Sequence, residues 1–427
     1  MPSQEFDYRD RAEKPTTGFL GIDKDLDVAY DDDVLNLSVG VSSPEILKKV
    51  TPLVLEATQH CLKIAETDQA KSLFQYGKPE GPLKTRKLFA EYLTSAYGDK
   101  VYYEDLMLTT GASAGVHNLL SSVLDHDGYI FIDELIFMLT YGIINQFSGL
   151  KVVPVKLNDD GVDLKDLEQK ILKTDYASKN KSKLFWGVYL TVPNYHNPTG
   201  ITFSDQVCKG LIKIARKYDL GIICDDVYNL LHYDDKIPKR LYSYDSMDDV
   251  DYKGHVISNA SLSKPISPGM RIGWYEVPPR VKSVLCSKGM LVSSGGFCNY
   301  TMTLLASMFE TGIAQEHIKF VKATLGERMH VTVNVLQKNL PSSCSFINPG
   351  GGYFVWIRLP KGKSAKDLLR IAKNKYKVFY LCGEIFSHLT ERDFSNCLRI
   401  TIGYYSKDVL EDGVSKLCQA IQEFLSE

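Results

Sequence analysis

A short segment in the second half of the chain carries one lysine and one arginine among loop-forming residues. Residues 261–274 read SLSKPISPGMRIGW, so Ser261 and Ser263 precede Lys264, and Arg271 follows seven residues later. Most lysines are solvated surface residues. A lysine held between apolar and loop-forming residues can have a lowered pKa and can form a Schiff base with a carbonyl compound. The segment is therefore a candidate for covalent chemistry at Lys264.

A run of small residues, Gly111 to Gly115, directly follows the strand-like run Leu106–Thr109 and opens a helical pattern. Small residues let backbone amides approach an anion, and the N-terminus of a helix favours negative charge. Ala112 and Ser113 are the candidate contacts. The spacing matches neither the dinucleotide-binding nor the P-loop motif, and a tight turn without a ligand is the alternative.

A pair of aspartates, Asp225 and Asp226, ends the apolar run Leu220–Cys224, and Tyr228 follows. A carboxylate at the end of a buried strand is partly desolvated and needs a cationic partner. The alternative is an aspartate that caps a helix beside a surface tyrosine.

Together these features resemble a known family. Residues 261–273 match, position for position, the lysine motif S-x-S-K-x-x-x-P-G-x-R-x-G of the fold-type I, pyridoxal-phosphate-dependent class I/II aminotransferases. Asn197-Pro198-Thr199-Gly200 matches the family's N-P-T-G, and Asp225 with Tyr228 matches its D-x-x-Y in the same order. The resemblance spans nearly the whole chain. Within the family, the motifs are most similar to those of the aminoadipate, kynurenine and aromatic aminotransferase branch.

The resemblance implies that the cofactor is pyridoxal 5'-phosphate, bound by Lys264 as an aldimine, and that the Lys264 amine moves the substrate's α-proton. Asp225 would pair with the pyridinium nitrogen, while Asn197 and Tyr228 would hydrogen-bond the phenolate oxygen. The residues expected around the phosphate are Ala112, Ser113, Ser261, Ser263 and Arg271. The implied reaction moves the amino group of an α-amino acid to a 2-oxo acid.

The substrate side of the site is also implied by the resemblance. Arg399 would bind the substrate carboxylate together with Asn197, although an arginine in an apolar strand can instead form a structural ion pair. Gly40 would lie in the N-terminal arm that passes over the substrate. Tyr76 would reach the site of a second subunit, so a homodimer is expected.

The position of the ring-stacking aromatic residue is among those that depart from the family pattern. The aromatic residue that stacks on the cofactor ring normally lies in a stretch such as E-x-P-T-Y, and here residues 133–137 read DELIF. Phe137 can stack but cannot donate a hydrogen bond. Tyr141 is the competing candidate.

Six short apolar runs alternate with longer amphipathic ones through the middle of the chain. Such runs are too short for buried helices. We predict strands over Leu106–Thr109, Tyr129–Ile132, Lys151–Val155, Leu184–Leu190, Leu220–Cys224 and Val256–Ser258. Helices are predicted over Ala114–Leu124 and Ser204–Lys217, the second with Ser204 as its N-cap. The alternation predicts an α/β fold with a mostly parallel sheet and helices on both faces, and the family's large domain has seven strands.

The C-terminal third has a different pattern, typical of a smaller α+β domain. Predicted helices cover Val281–Met290, Tyr300–Phe309, Glu316–Leu340 and Asp408–Phe424. Predicted strands cover Gly352–Arg358 and Leu398–Ile402. We divide the chain into an N-terminal arm with part of the small domain (residues 1–50), a large cofactor-binding domain (51–295) and a C-terminal small domain (296–427).

Composition narrows the class of protein further. The 427 residues include 50 basic and 52 acidic ones, a formal net charge of −2 that gives no electrostatic case for nucleic acid or an anionic membrane. No stretch approaches the ~20 apolar residues of a membrane span. Nine cysteines without a CxxC pair argue against a disulfide framework and a zinc site. We expect a cytoplasmic protein without a metal.

The motifs leave two other functions open. Other enzymes that use the same cofactor on the same fold, such as C–S lyases, ring-closing synthases and decarboxylases, share the lysine, aspartate and phosphate-binding residues. A non-catalytic protein with this fold could serve in regulation, because a fold alone does not establish a function.

Overall fold

The structure is a computed structural model that describes residues 33–66, 73–176, 182–387, 390 and 392–427. Most of the predicted N-terminal arm, residues 1–32, lies outside the described residues. The first ten strands are, in chain order, β1 (Leu35–Asn36), β2 (Leu106–Thr109), β3 (Leu124–Asp133), β4 (Lys151–Val155), β5 (Leu157–Asn158), β6 (Gly161–Val162), β7 (Phe185–Thr191), β8 (Gly221–Asp225), β9 (Val256–Ser261) and β10 (Gly273–Glu276).

Seven of these strands form one sheet, in the order β2-β10-β9-β8-β7-β3-β4. Only β10 is antiparallel to its neighbours. The central strand β7 reads FWGVYLT and is buried along its whole length, as expected for a parallel strand covered on both faces. The prediction of an α/β fold with a mostly parallel, seven-stranded sheet is confirmed.

Helices cover both faces of this sheet. The helices up to residue 294 are Pro44–Lys48, Val50–Ala65, Leu83–Tyr97, Ala112–Val123, Met138–Ile144, Leu164–Leu172, Asp205–Tyr218, Pro279–Cys286 and Gly289–Ser294. Ser204 caps the helix Asp205–Tyr218 as predicted, since its side-chain oxygen accepts a hydrogen bond from the backbone N–H of Val207 at 3.3 Å. Asp219, in the left-handed conformation, ends that helix just before β8.

The C-terminal part combines helices with a second sheet. Its helices are Asn299–Glu310, Ile313–Asn339, Ala365–Asn374 and Lys407–Ser426. Its strands are β11 (Ser345–Phe346), β12 (Phe354–Arg358), β13 (Val378–Phe379), β14 (Leu381–Cys382) and β15 (Cys397–Thr401). Four of them form an antiparallel sheet in the order β11-β12-β15-β14, while β13 pairs in parallel with β1. The N-terminal segment is thereby tied to the smaller α+β part.

Some details differ from the sequence predictions. The predicted helix Val281–Met290 is two helices, because the chain is extended at Lys288 and restarts at Gly289. Strand β10 was not predicted, since its first two residues, Gly273 and Trp274, belong to the segment interpreted as a functional loop. Within the described residues, no helix is long and apolar enough to cross a membrane.

Candidate active site

The carboxyl ends of the parallel strands meet at one edge of the large sheet, where ligands bind in open α/β sheets. A cavity of about 570 Å³ lies there. Twelve of the thirteen residues predicted from the sequence line it, which are Gly40, Ala112, Ser113, Phe137, Asn197, Asp225, Tyr228, Ser261, Ser263, Lys264, Arg271 and Arg399. Segments far apart in the chain therefore form one site.

Lys264 lies in the loop that follows β9. Its amine donates a hydrogen bond to the carbonyl oxygen of Gly40 at 2.5 Å and lies 5.3 Å from the centre of the Tyr353 ring. Burial, together with the charge of Arg399, lowers the pKa of Lys264 to about 8. A far larger fraction of this amine is unprotonated at neutral pH than in a surface lysine, as a nucleophile or a general base requires.

Asp225 is the last residue of β8, and its Oδ1 has no hydrogen-bond partner among the described residues. Burial raises the pKa of Asp225 to about 7, with the charge of Asp226 contributing. Asp226 does not line the cavity; its Oδ2 accepts a hydrogen bond from Ser258 at 2.5 Å, while its Oδ1 also has no partner among the described residues. A buried carboxylate with a free oxygen at the cavity wall is suited to a cationic ligand group.

The turn after β2 and the loop after β9 build a cradle for an anion. Gly111 has a φ of +103°, and a Cβ atom there would lie 2.6 Å from the Arg271 guanidinium. The Arg271 side chain donates to the carbonyl oxygens of Thr110 at 3.0 Å and Pro268 at 2.9 Å. Its fork is thus fixed beside the N-terminus of the helix Ala112–Val123, where backbone N–H groups favour an anion.

Two hydroxyls belong to the same cradle. Ser261 donates a hydrogen bond to the Oγ of Ser263 at 2.8 Å and accepts one from the Ser263 backbone N–H at 3.0 Å. Both side chains line the cavity beside Arg271.

Arg399, in the centre of β15, is 3% exposed. Its Nη atoms donate to Asn197 Oδ1 and to the carbonyl oxygen of Ser38, both at 2.8 Å, and Nε has no partner among the described residues. Burial lowers the pKa of Arg399 to about 9. The two acceptors are neutral, so the structural ion pair considered from the sequence is not what holds this arginine. A buried guanidinium of this kind favours a bound anion.

The two aromatic candidates for stacking on the cofactor ring differ in position. Phe137 lines the cavity, whereas Tyr141 lies outside its wall. Tyr228 is buried beside Tyr353 and Phe354, with ring centres 5.9 and 5.8 Å away, so it is not the surface tyrosine considered as an alternative.

Tyr76 is the one predicted residue that the chain does not bring to its own cavity. It is 76% exposed, as is Phe74, and lies outside the cavity wall. Gly40 does line the wall, and a Cβ atom at that position would lie 2.9 Å from the Phe354 ring.

Sequence reasoning missed the apolar part of the wall. Side chains from the N-terminal segment, the helix Met138–Ile144 and the second sheet line it, among them Val39, Val41, Leu139, Phe354, Phe379 and Leu381. The register of the second sheet pairs Leu381 with Arg399. The sequence around Arg399 predicted a strand. It did not indicate which residues of the adjacent strands would face the cavity.

These residues fit the cofactor implied by the resemblance. Asp225 offers an unpartnered buried oxygen for the ring nitrogen, and the Arg271 cradle leaves no room for a Cβ atom at Gly111. Lys264, with its lowered pKa, lines the same cavity. The cofactor's three groups, namely the ring nitrogen, the phosphate and the aldehyde, each find a matching partner.

The comparisons with known proteins agree with this chemistry. The family model described as "Aminotransferase class I and II" matches residues 32–417. The chain is 27% identical over 399 residues to Aromatic-amino-acid aminotransferase 1 of Thermococcus litoralis, covering 92% of this chain and 88% of that protein. It is 26% identical over 394 residues to the uncharacterized HTH-type transcriptional regulator YdfD of Bacillus subtilis, covering 92% of this chain and 75% of the regulator.

Among solved structures, the kynurenine aminotransferase of Pyrococcus horikoshii, in complex with PMP, superposes with a TM-score of 0.77 at 23% identity, covering 98% of this chain and 97% of that one. This likeness agrees with the fold described above. The match to the family model covers most of the chain. The chain belongs to the class I and II aminotransferases, enzymes that use pyridoxal phosphate to move an amino group from an α-amino acid to a 2-oxo acid.

Proposed function

We propose that Lys264 binds the cofactor covalently and then moves the proton between the substrate's Cα atom and the cofactor during amino transfer. When bound, pyridoxal phosphate supplies an electron-poor ring that accepts the electron pair of the breaking Cα–H bond. Asp225 holds the ring nitrogen, while Asn197 and Tyr228 donate hydrogen bonds to the ring oxygen. The observation that carries the proposal is a lysine with a pKa of about 8 in the same cavity as Asp225.

The substrate's α-carboxylate binds to Arg399 in this proposal. Its guanidinium is buried, has neutral partners only, and keeps one N–H without a partner among the described residues. A planar fork fixes a carboxylate with two hydrogen bonds and so orients the Cα–H bond.

We propose that the amino donor has an aromatic or large apolar side chain. Three cations line the described wall, Lys264, Arg271 and Arg399, and each already has a role. The remaining wall is largely apolar, so the side-chain carboxylate of a dicarboxylic amino acid would have no cationic partner there. The names of the aromatic and kynurenine aminotransferases compared above support the same class.

A panel of donors tests this substrate class. With pyruvate as acceptor, kcat/KM for phenylalanine, tyrosine or leucine is expected to exceed that for aspartate by about 10-fold or more. Beyond one equivalent per active site, the product 2-oxo acid is expected only when the acceptor is present. Faster turnover of aspartate would contradict the apolar pocket, and release of ammonia without an acceptor would indicate elimination instead of transfer.

We also propose a homodimer in which Tyr76 completes the partner's site. Tyr76 and Phe74 are both 76% exposed, and Phe74 stacks on Tyr300 with ring centres 5.9 Å apart. Neighbouring exposed aromatic side chains form an apolar surface of the kind that another protein surface covers.

All nine cysteines are free thiols, which supports our further proposal of a reducing, cytoplasmic location.

Complementation between two inactive variants tests the shared site. Tyr76→Ala and Lys264→Ala are each expected to be impaired, and a mixture refolded together is expected to recover about one quarter of native activity. Random pairing makes half of the dimers hybrid, and each hybrid holds one intact site. No recovery would mean that Tyr76 acts within its own chain or not at all. Tyr102→Ala, another exposed tyrosine, serves as the control and should retain activity.

A further inference from the structure

A buried polar cluster lies next to the cavity without lining it. Asp133, the last residue of β3, receives hydrogen bonds from the hydroxyls of Tyr189 and Thr191 on β7, the second at 2.7 Å. The Nε2 atom of His196 lies 3.3 Å from the same carboxylate. All four side chains are at most 3% exposed. Burying a carboxylate and an imidazole is costly unless both are well partnered, so this arrangement needs an explanation.

The contacts of the His196 ring favour one tautomer. Nδ1 lies 2.8 Å from the Thr199 hydroxyl and accepts the Thr199 backbone N–H at 3.5 Å. An Nδ1 atom that accepts leaves the proton on Nε2, which then faces Asp133. The ring therefore connects Asp133, at the carboxyl end of β3, to the turn that begins at His196.

The backbone of His196 closes the same turn. Its N–H donates to the carbonyl oxygen of Ile201 at 2.9 Å, and its carbonyl accepts from the N–H of Gly200 at 2.6 Å. Asn197, the next residue, accepts a hydrogen bond from Arg399 at 2.8 Å and is a neighbour of the Tyr228 hydroxyl. Asn197, which contacts both Arg399 and Tyr228, therefore lies in a turn that His196 stabilises.

We propose that His196 and Asp133 are positioning residues that fix Asn197 and, through it, the orientation of Arg399 and Tyr228. The inference rests on the role proposed above for Asn197. Neither His196 nor Asp133 lines the cavity, so their effect must pass through the turn. Asp133 also begins the segment that carries Phe137. Its carboxylate is therefore linked to two parts of the cavity wall, one at Phe137 and one at Asn197.

A pair of amide substitutions tests the inference. In His196→Gln the amide nitrogen can still reach Asp133, whereas in His196→Asn the side chain is one methylene shorter and cannot. We expect His196→Gln to stay close to the native enzyme. We expect His196→Asn to lower kcat/KM by about 10-fold to 100-fold, because a misplacement of about 1 Å has an effect of this size.

Two readouts separate positioning from loss of stability. The affinity of the apoprotein for pyridoxal phosphate, followed by quenching of intrinsic fluorescence, should fall in His196→Asn and not in His196→Gln. Thermal unfolding of the two apoproteins should be similar. His255→Asn is the matched control, since His255 is also buried and lies 3.2 Å from an aspartate, Asp219, at the opposite end of the sheet. It should leave both readouts unchanged.

The same substitutions in an Asn197→Ala background complete a double-mutant cycle. If His196 acts through Asn197, the difference between the Gln and Asn variants disappears in that background. An undiminished difference, or native behaviour of His196→Asn, would overturn the inference. Full activity of Asn197→Ala by itself would instead refute the role proposed for Asn197, and with it the premise of the inference.

Discussion

Lys264→Ala is expected to lower kcat for amino transfer by a factor on the order of 10³ or more, since it removes both the covalent attachment point and the proton-transferring group. The cavity offers no substitute amine, because Arg271 and Arg399 are the other two cations along its described wall and both have proposed roles in binding anions. Single-turnover kinetics with a saturating amino donor, followed through the cofactor's absorbance, measure the effect directly.

A second lysine provides the matched control for this prediction. Burial also lowers the pKa of Lys322, whose amine lies 2.7 Å from Nε2 of His232 outside the cavity wall. Lys322→Ala should leave kcat nearly unchanged. That result would show that burial of a lysine amine is not by itself sufficient for a role in amino transfer. Turnover by Lys264→Ala at a rate close to native would refute the proposed role.

Arg399→Lys is expected to lower kcat/KM for the amino donor by about 10²-fold, with most of the change in KM. Lysine keeps the positive charge but loses the planar fork that binds a carboxylate with two hydrogen bonds. It also loses the bond to Asn197 and the packing of the guanidinium on Phe354, whose ring centre is 4.1 Å away. Steady-state kinetics with a series of donors measure this change.

The affinity for the cofactor separates this effect from general damage to the site. Apoprotein of Arg399→Lys should bind pyridoxal phosphate nearly as well as the native apoprotein, because the role proposed for Arg399 is to bind the substrate carboxylate. Arg358, on the adjacent strand β12, is paired with Asp159 and serves as the control, since Arg358→Lys should not change KM. An unchanged KM in Arg399→Lys would mean that another group binds the carboxylate.

Much of the large sheet could be predicted because its strands are continuous apolar runs. The runs beginning at Leu106, Tyr129 and Val256 correspond to β2, β3 and β9, although β3 begins five residues earlier and β9 ends three residues later. The strand β10 is different, because Gly273 and Trp274 belong equally to the lysine motif and to the strand. Because these two residues were assigned to the lysine motif, the strand that they begin was not recognised.

The residues around the cofactor could be named because each follows a strand or lies in a motif of fixed spacing. Arg399 and Gly40 needed the resemblance, since one is an arginine in an apolar strand and the other a lone glycine. The pairing of Asp133 with His196 has no signal in the sequence, because 63 residues separate them and only the parallel register of β3 and β7 brings them together. The apolar wall was unpredictable for the same reason, as it joins segments of both sheets.

The position of the covalent bond to the cofactor shows whether Lys264 is the lysine that binds it. Native protein loaded with pyridoxal phosphate is treated with borohydride, which reduces the bond and makes it permanent, and its peptides are then mapped by mass spectrometry. The predicted result is a single modified peptide that contains Lys264. Modification of a different lysine, or of no lysine while the cofactor absorbance is present, would contradict the proposed site.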